Sequence, residues 1–211
     1  FTVVSCDNLS ENGKLLRGVM LSFAQQRDTD LADWIAEQVC FPCSMVDRIT
    51  PAVTSADRET IAQTLGCVDN SPVITERFSQ WVLEDRFSSG RPAWEEVGVE
   101  MVEDVLPFER MKLRMLNGTH STLAYLGFLA GHEFVFQAVT QPEFQLLLRG
   151  MWRDEIIPTL SMPAGTDLHA YAEELLLRYQ NSGLKHRLYQ IAMDGSQKLP
   201  QRLLGVLQEH L

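Results

Sequence analysis

The sequence predicts a mixed α/β portion followed by an all-helical one, with the change near residue 100. Three observations carry this. Short apolar stretches of strand character, "FTVVS" and "PVITERFSQWVLED", alternate with helical runs in the first half. From Val105 onward nearly every segment has the period of a helix. Pro142, Pro158, Pro163, Gly165 and Gly183 cut that second half into helix-length pieces. A chain of 211 residues can hold one large domain or two small ones.

Residues 1–5 read as a buried strand, with Asp7-Asn8 at its end and Asn12-Gly13 opening a turn. Residues 14–39 carry helical periodicity through Leu15, Leu16, Val19, Met20, Phe23, Leu31, Trp34 and Ile35. "RDTD" divides this run, with Asp30 as the cap of its second part. "FPCSMVDRITP" is extended and closed by Pro51, and "SADRETIAQTLG" is a short capped helix ending at Gly66. "PVITERFSQWVLED" alternates as a strand does, and "SSGRPAW" is a loop. Helices are then expected over 107–129, 132–139, 141–160, 167–180, 184–193 and 196–210.

Composition narrows the function classes. The net charge of −10, with no Lys/Arg run, argues against nucleic-acid binding and leaves room for a small anionic ligand. No apolar run reaches the roughly 18 residues of a membrane span. "FTVVSCDN" lacks the basic region of a signal peptide. It also opens without Met inside a strand-like segment, so we expect a piece of a longer protein, cut at both ends. Cys40-Phe-Pro-Cys43 has no second cysteine pair or adjacent histidines to make a zinc site, and it follows a helical run rather than opening one. All four cysteines, including Cys6 and Cys67, are expected to be buried and reduced, as in a cytoplasmic protein.

The stretch "KLRMLNGTH" can be read in two ways. Asn117-Gly118-Thr119 fits a glycosylation acceptor. On a helical wheel with Lys112 at zero, Glu109 falls near 60°, His120 near 80° and Asn117 near 140°, each about the 100° per residue of an α-helix. Leu113 and Leu116 share that arc, so these polar groups sit among leucines and require partners. A structural Glu109–Lys112 or Lys112–His120 network would account for them without chemistry. The functional reading is a desolvated lysine acting as general base, an asparagine donating to a developing oxyanion, and a histidine orienting the substrate oxygen. Gly118 in mid-helix costs roughly 1 kcal/mol relative to Ala and implies a close approach to the backbone.

"FERMKLRMLNGTH", with "SCDNLSENG" and "FPCSMVDRITPAVT" upstream, resembles the polyol-specific long-chain dehydrogenases, the mannitol dehydrogenase family. "TLSMPAGTDLHAYAEELLLRYQN" and "HRLYQIAMDGSQKLPQRLL" further resemble its hexuronate branch, the fructuronate reductases. The match spans Ser5 to Leu204, nearly the whole chain.

The resemblance implies an α/β remnant of a Rossmann-type cofactor domain, residues 1–100, followed by a mainly α-helical substrate domain, residues 101–211. It implies NAD(H)-dependent, metal-independent hydride transfer on a small sugar acid by a monomeric enzyme, to which the charge, hydropathy and cysteine readings add a cytoplasmic location with no nucleic-acid or membrane partner. Lys112 falls on the family's general acid/base, Asn8 and Asn117 on its oxyanion-binding amides, and His120 on the residue that meets the reacting oxygen. Glu109 falls on a carboxylate that assists proton exchange. Val46 and Asp47 would line the nicotinamide and substrate side, with Val46 and Asn8 the chain's cofactor contacts. Lys198 would reach the far end of the substrate. Lys185, His186 and Arg187 are further candidate cations for its carboxylate, and Gln190 a further substrate contact. No G-x-G-x-x-G occurs in the sequence, so the pyrophosphate-binding turn of that family, and with it the choice between NAD and NADP, is not represented here. Mannitol 2-dehydrogenase, tagaturonate reductase and a non-catalytic helical interaction module remain the alternatives.

Overall fold

The computed structural model describes all 211 residues, Phe1 to Leu211. They form two compact units that interleave along the chain, residues 1–47 with 79–110 and residues 48–78 with 111–211.

In the first unit, α1 (Asn12–Gln25) and α2 (Thr29–Gln38) pack against each other, and a three-stranded sheet has the order β1 (Ser44–Asp47), β2 (Gln80–Glu84), β3 (Val99–Val102). β1 runs antiparallel to β2, with Met45 opposite Val82, and β3 runs parallel to β2, with Val99 opposite Trp81. Ala24, Ala32, Ile35, Val39 and Phe41 form the helical core, covered by Val3, Leu16, Met20 and Leu21. The helix break lies where "RDTD" places it, but Asp28 is the cap: its carboxylate accepts from the N–H groups of Asp30 and Leu31.

Two expectations about this unit are corrected, and one element was missed. Residues 1–5 are not a strand; only Thr2 pairs, with Cys40, beside a 2.9 Å bond from Val3 N–H to the Cys40 carbonyl. The chain leaves that pairing because Asn12 draws it away. Its buried amide nitrogen donates to the carbonyls of Ser5, Asp7 and Ser44, and its oxygen accepts from Ser44 N–H. Asn12-Gly13, expected to open a turn ahead of the helix, is accordingly the buried first turn of α1 itself. A Cβ on Gly13 would lie 2.5 Å from the carbonyl oxygens of Phe41 and Pro42, so only glycine lets α1 start there. Finally, β3 was not anticipated; its four residues are too short a run to show alternation.

In the second unit, α3 (Ser55–Leu65) has the expected ends. Thr54 and Asp57 form a reciprocal capping box, and the helix stops at Gly66. The strand expected over 72–85 is confined to β2, because residues around Glu76 are committed elsewhere. The Glu76 carboxylate takes Ile49 N–H and the Arg178 guanidinium, and its carbonyl takes Arg48.

Helices fill the rest. One run comprises α4 (Leu106–Met111), a π-helical segment (Lys112–Gly118) and α5 (Thr119–Leu129). Next come α6 (Val135–Val139) and α7 (Pro142–Gly150), the latter continued by a second π-helical segment (Met151–Ile156) and a 3₁₀ turn (Ile157–Thr159). α8 (Leu168–Tyr179) and α9 (Leu188–Ala192) follow. Then α10 (Gly195–Leu199) leads through a third π-helical segment (Pro200–Leu204) into α11 (Gly205–Glu209). The helices expected from periodicity are thus present, with ends displaced by a few residues. Leu123, Leu148, Trp152, Leu175, Tyr179 and Leu188 are almost wholly buried and form much of this core.

Candidate active site

Lys112, Asn117 and the backbone around Gly118 lie on the first π-helical segment, and His120 follows in the first turn of α5. The i→i+5 pairing of a π-helix widens the turn and brings residues five apart towards one face. The α-helical wheel therefore overstates the angle between Lys112 and Asn117. Lys112 is 5% exposed and His120 6%, while Asn117 is half-buried. The polar cluster inferred from the leucine-rich arc is thus indeed an interior one.

Side chains from distant helices secure this widened turn. Carbonyl groups left over where the ladder changes register need other donors. The Met115 carbonyl accepts from Thr119 Oγ1 at 2.5 Å and from the indole of Trp152 at 3.0 Å. The Leu116 carbonyl accepts from the Tyr179 hydroxyl at 2.8 Å, and Thr119 Oγ1 lies 2.9 Å from the same hydroxyl. The segment packs against both other π-helical segments. At Gly118 the approach is closest, since a Cβ there would stand 2.8 Å from the Arg202 carbonyl oxygen.

His120 stacks on Tyr179, with ring centroids 5.0 Å apart and planes 19° from parallel, and meets His186 edge-on at 5.0 Å. Burial holds His120 well below the usual histidine range, and His186, Arg202 and Arg178 add to the effect. Burial alone brings His186 down to about 4. His186 is therefore uncharged near neutral pH, which removes it from the candidate carboxylate-binding cations. Behind these rings Arg178 and Glu76 form a buried ion pair at 2.8 Å, with the guanidinium 3.9 Å over the Phe78 ring.

The other candidates of this unit differ in how their charges are committed. Lys198 on α10 is half-buried, 3.8 Å from the Asp194 carboxylate. Asp194 itself takes a left-handed backbone conformation, φ 59°, ahead of Gly195. Arg187 is exposed, pairs with Glu133 at 2.5 Å and lies over the Phe134 ring at 5.4 Å. Gln190 is half-buried on α9, and Lys185 is exposed.

In the first unit, Asn8 is an exposed residue of the loop that Asn12 ties down. Val46 is half-buried and Asp47 is 2% exposed, both on β1. The half-buried Glu109 accepts the Glu11 N–H at 3.0 Å, just ahead of α1. All four cysteines are free, but only Cys43 is buried; Cys40 is half-buried, and Cys6 and Cys67 are exposed, contrary to expectation. Sequence reasoning missed Asn12 as an organiser of the Asn8 loop. It also missed Tyr179 as the platform under His120. Tyr179 carries no local signal, because Thr119 is 60 residues away, and Asn12 joins its near neighbours Ser5 and Asp7 to Ser44, 32 residues away.

Comparison with known proteins finds two family models along the chain, which meet near residue 100, whereas the compact units of the structure interleave. Residues 1–96 match the mannitol dehydrogenase Rossmann domain and residues 104–211 the mannitol dehydrogenase C-terminal domain. D-mannonate oxidoreductase of Escherichia coli K12 is 54% identical over 211 residues, 100% of this chain and 43% of that protein. A crystal structure of D-sorbitol dehydrogenase in substrate-free form superposes with a TM-score of 0.92 at 40% identity, over 99% of this chain and 43% of that one. The ternary complex of Pseudomonas fluorescens mannitol 2-dehydrogenase with NAD and D-mannitol gives a TM-score of 0.87 at 42% identity, over 99% and 42%. The chain therefore spans less than half the length of the relatives it matches.

Proposed function

The chain belongs to the mannitol dehydrogenase family, and from that premise we propose that it is part of an NAD(H)-dependent sugar-acid oxidoreductase that reduces D-fructuronate to D-mannonate. The observation that carries this reading is Lys112, a lysine almost wholly buried on a widened helical turn that also bears Asn117 and leads into His120.

In the oxidative direction Lys112 takes the proton of the reacting hydroxyl. In the reductive direction it returns a proton to the oxygen as the ketone is reduced. Asn117 and, by resemblance, Asn8 donate to the oxygen while negative charge develops there; losing one such donor typically costs about 10²–10³ in rate. His120, neutral and held against Tyr179, hydrogen-bonds the same oxygen and sets its direction. Glu109 assists proton exchange between Lys112 and solvent. Bound NAD(H) supplies the hydride chemistry. The residues present suit its nicotinamide end: Val46 offers a half-buried apolar contact and Asp47 a buried acceptor, with Asn8 nearby in the reading by resemblance.

Lys198 is the preferred cation for the substrate carboxylate, because its ion-pair partner stands at 3.8 Å and the side chain is only partly committed. Arg187 is a weaker choice, being held by Glu133 and Phe134. Gln190 would touch the substrate from α9. Residues 1–100 are assigned to the cofactor domain and 101–211 to the substrate domain of a monomeric cytoplasmic enzyme; no helix is long and apolar enough to cross a membrane.

A second reading, mannitol 2-dehydrogenase, is favoured by the likeness to the mannitol complex. NADH consumption by the complete polypeptide containing these residues, with fructuronate, tagaturonate and fructose side by side, decides between them. Preference for fructuronate is expected; preference for fructose would move the protein to the mannitol branch.

A further inference from the structure

His120 Nε2 and His186 Nδ1 are each buried with no hydrogen-bond partner in the chain. Both residues line one small cavity of the helical unit, together with Tyr179, Arg178 and Leu184. His186 is fixed there by its backbone, its N–H donating to the Leu184 carbonyl at 2.8 Å and its carbonyl accepting from Val135 N–H at 3.1 Å. The two rings stand edge to face, 80° apart. A neutral imidazole has one donor and one acceptor nitrogen, and leaving either unpaired in the interior is costly. Two orphaned nitrogens on one cavity are satisfied together by a single water, which requires two to four polar partners. The cavity leaves about 10 Å³ for the centre of such a molecule, close to the least that one water needs.

We propose that His186 is the positioning residue of His120: one buried water links the two ring nitrogens and fixes both the tautomer and the tilt of His120. This rests on the reading of His120 as the residue that meets the reacting oxygen. The nitrogen engaged by the water determines which nitrogen is left for substrate, so the second histidine acts on the reaction without touching it. A phenylalanine would preserve the ring edge but not Nδ1. An asparagine would place a polar atom near the Nδ1 position in a smaller side chain.

The test uses the complete polypeptide labelled with ¹⁵N-histidine, with the His120 resonances assigned by their loss in His120→Gln. Wild type and His186→Asn are expected to show a single His120 tautomer, and His186→Phe a mixture. kcat/KM should fall roughly tenfold in His186→Phe, the size of one hydrogen bond lost to a buried group. Asparagine should recover most of that loss. His186→Leu serves the same purpose if phenylalanine is not accommodated. Unchanged His120 ring resonances in both apolar variants would overturn the proposal, even if activity falls, because only packing would then have changed. If the wild type turns over none of the three substrates, the functional reading fails instead, and the ring resonances still decide the link between the histidines.

Discussion

His120 and His186 are both kept neutral by burial, and the sign of their effect on stability follows from that. In the unfolded chain a histidine titrates near its ordinary value of about 6.5. Below that pH the unfolded state takes up protons that the folded state refuses, so stability is full above about 6.5 and is lost as pH falls towards the folded values. For His186, with a folded value of about 4, the loss is on the order of 3 kcal/mol once pH has passed below both. Urea denaturation should give a lower midpoint at pH 5 than at pH 7, and His186→Phe should flatten that difference. A wild-type midpoint that does not move would contradict the burial argument. For Lys112, substitution by Ala should abolish turnover in the complete polypeptide while leaving NADH binding largely intact; unchanged turnover would remove Lys112 from catalysis. Lys112, Asn117 and His120 were legible in the sequence because they lie within nine residues of one helical run. His186 was singled out only as a possible cation. Its neutral state depends on what α5, α6 and α8 bury around it, which no local pattern carries.

The π-helical segment 112–118 is the element on which the site is built, and its partner segment 200–204 approaches it at Gly118. Gly118→Ala forces a methyl to 2.8 Å from a backbone carbonyl. We expect a loss of about 1–3 kcal/mol, the range for an overfilled core, together with impaired turnover. Gly18 provides the contrast. It lies inside α1, a Cβ there meets nothing within 4 Å, and Gly18→Ala should stabilise by roughly 1 kcal/mol. Denaturation of the two variants against wild type checks both signs, and equal shifts would show that the close approach is unimportant. The existence of this long helix was readable from its period. Its widening was not, since i→i+5 and i→i+4 pairing leave similar apolar patterns over seven residues. The cap at Asp28 rather than Asp30 has the same origin: "RDTD" offers two acidic candidates, and backbone geometry chooses between them.

At the scale of the molecule, the segment 48–78 is joined to the helical unit by Glu76, whose carboxylate pairs with Arg178 and whose burial is nearly complete. Removing one partner of a buried pair leaves an uncompensated charge, so Glu76→Ala should cost about 3–5 kcal/mol in urea denaturation. A loss below about 1 kcal/mol would show that solvent reaches Arg178. The change of character near residue 100 and the family-wide strings made the two-part architecture readable in advance. The return of 48–78 into the helical unit was not, because it depends on a contact across 102 residues. The Trp152 bond to the Met115 carbonyl has a further use. Trp152 is 1% exposed, whereas Trp34 is 47% exposed and Trp81 and Trp94 are half-buried. With phenylalanine at those three positions, Trp152 becomes the one indole of these 211 residues, a fluorophore anchored to the backbone of the reactive turn. Its emission wavelength and quenching by acrylamide would then report optically, without substrate, whether that turn is formed.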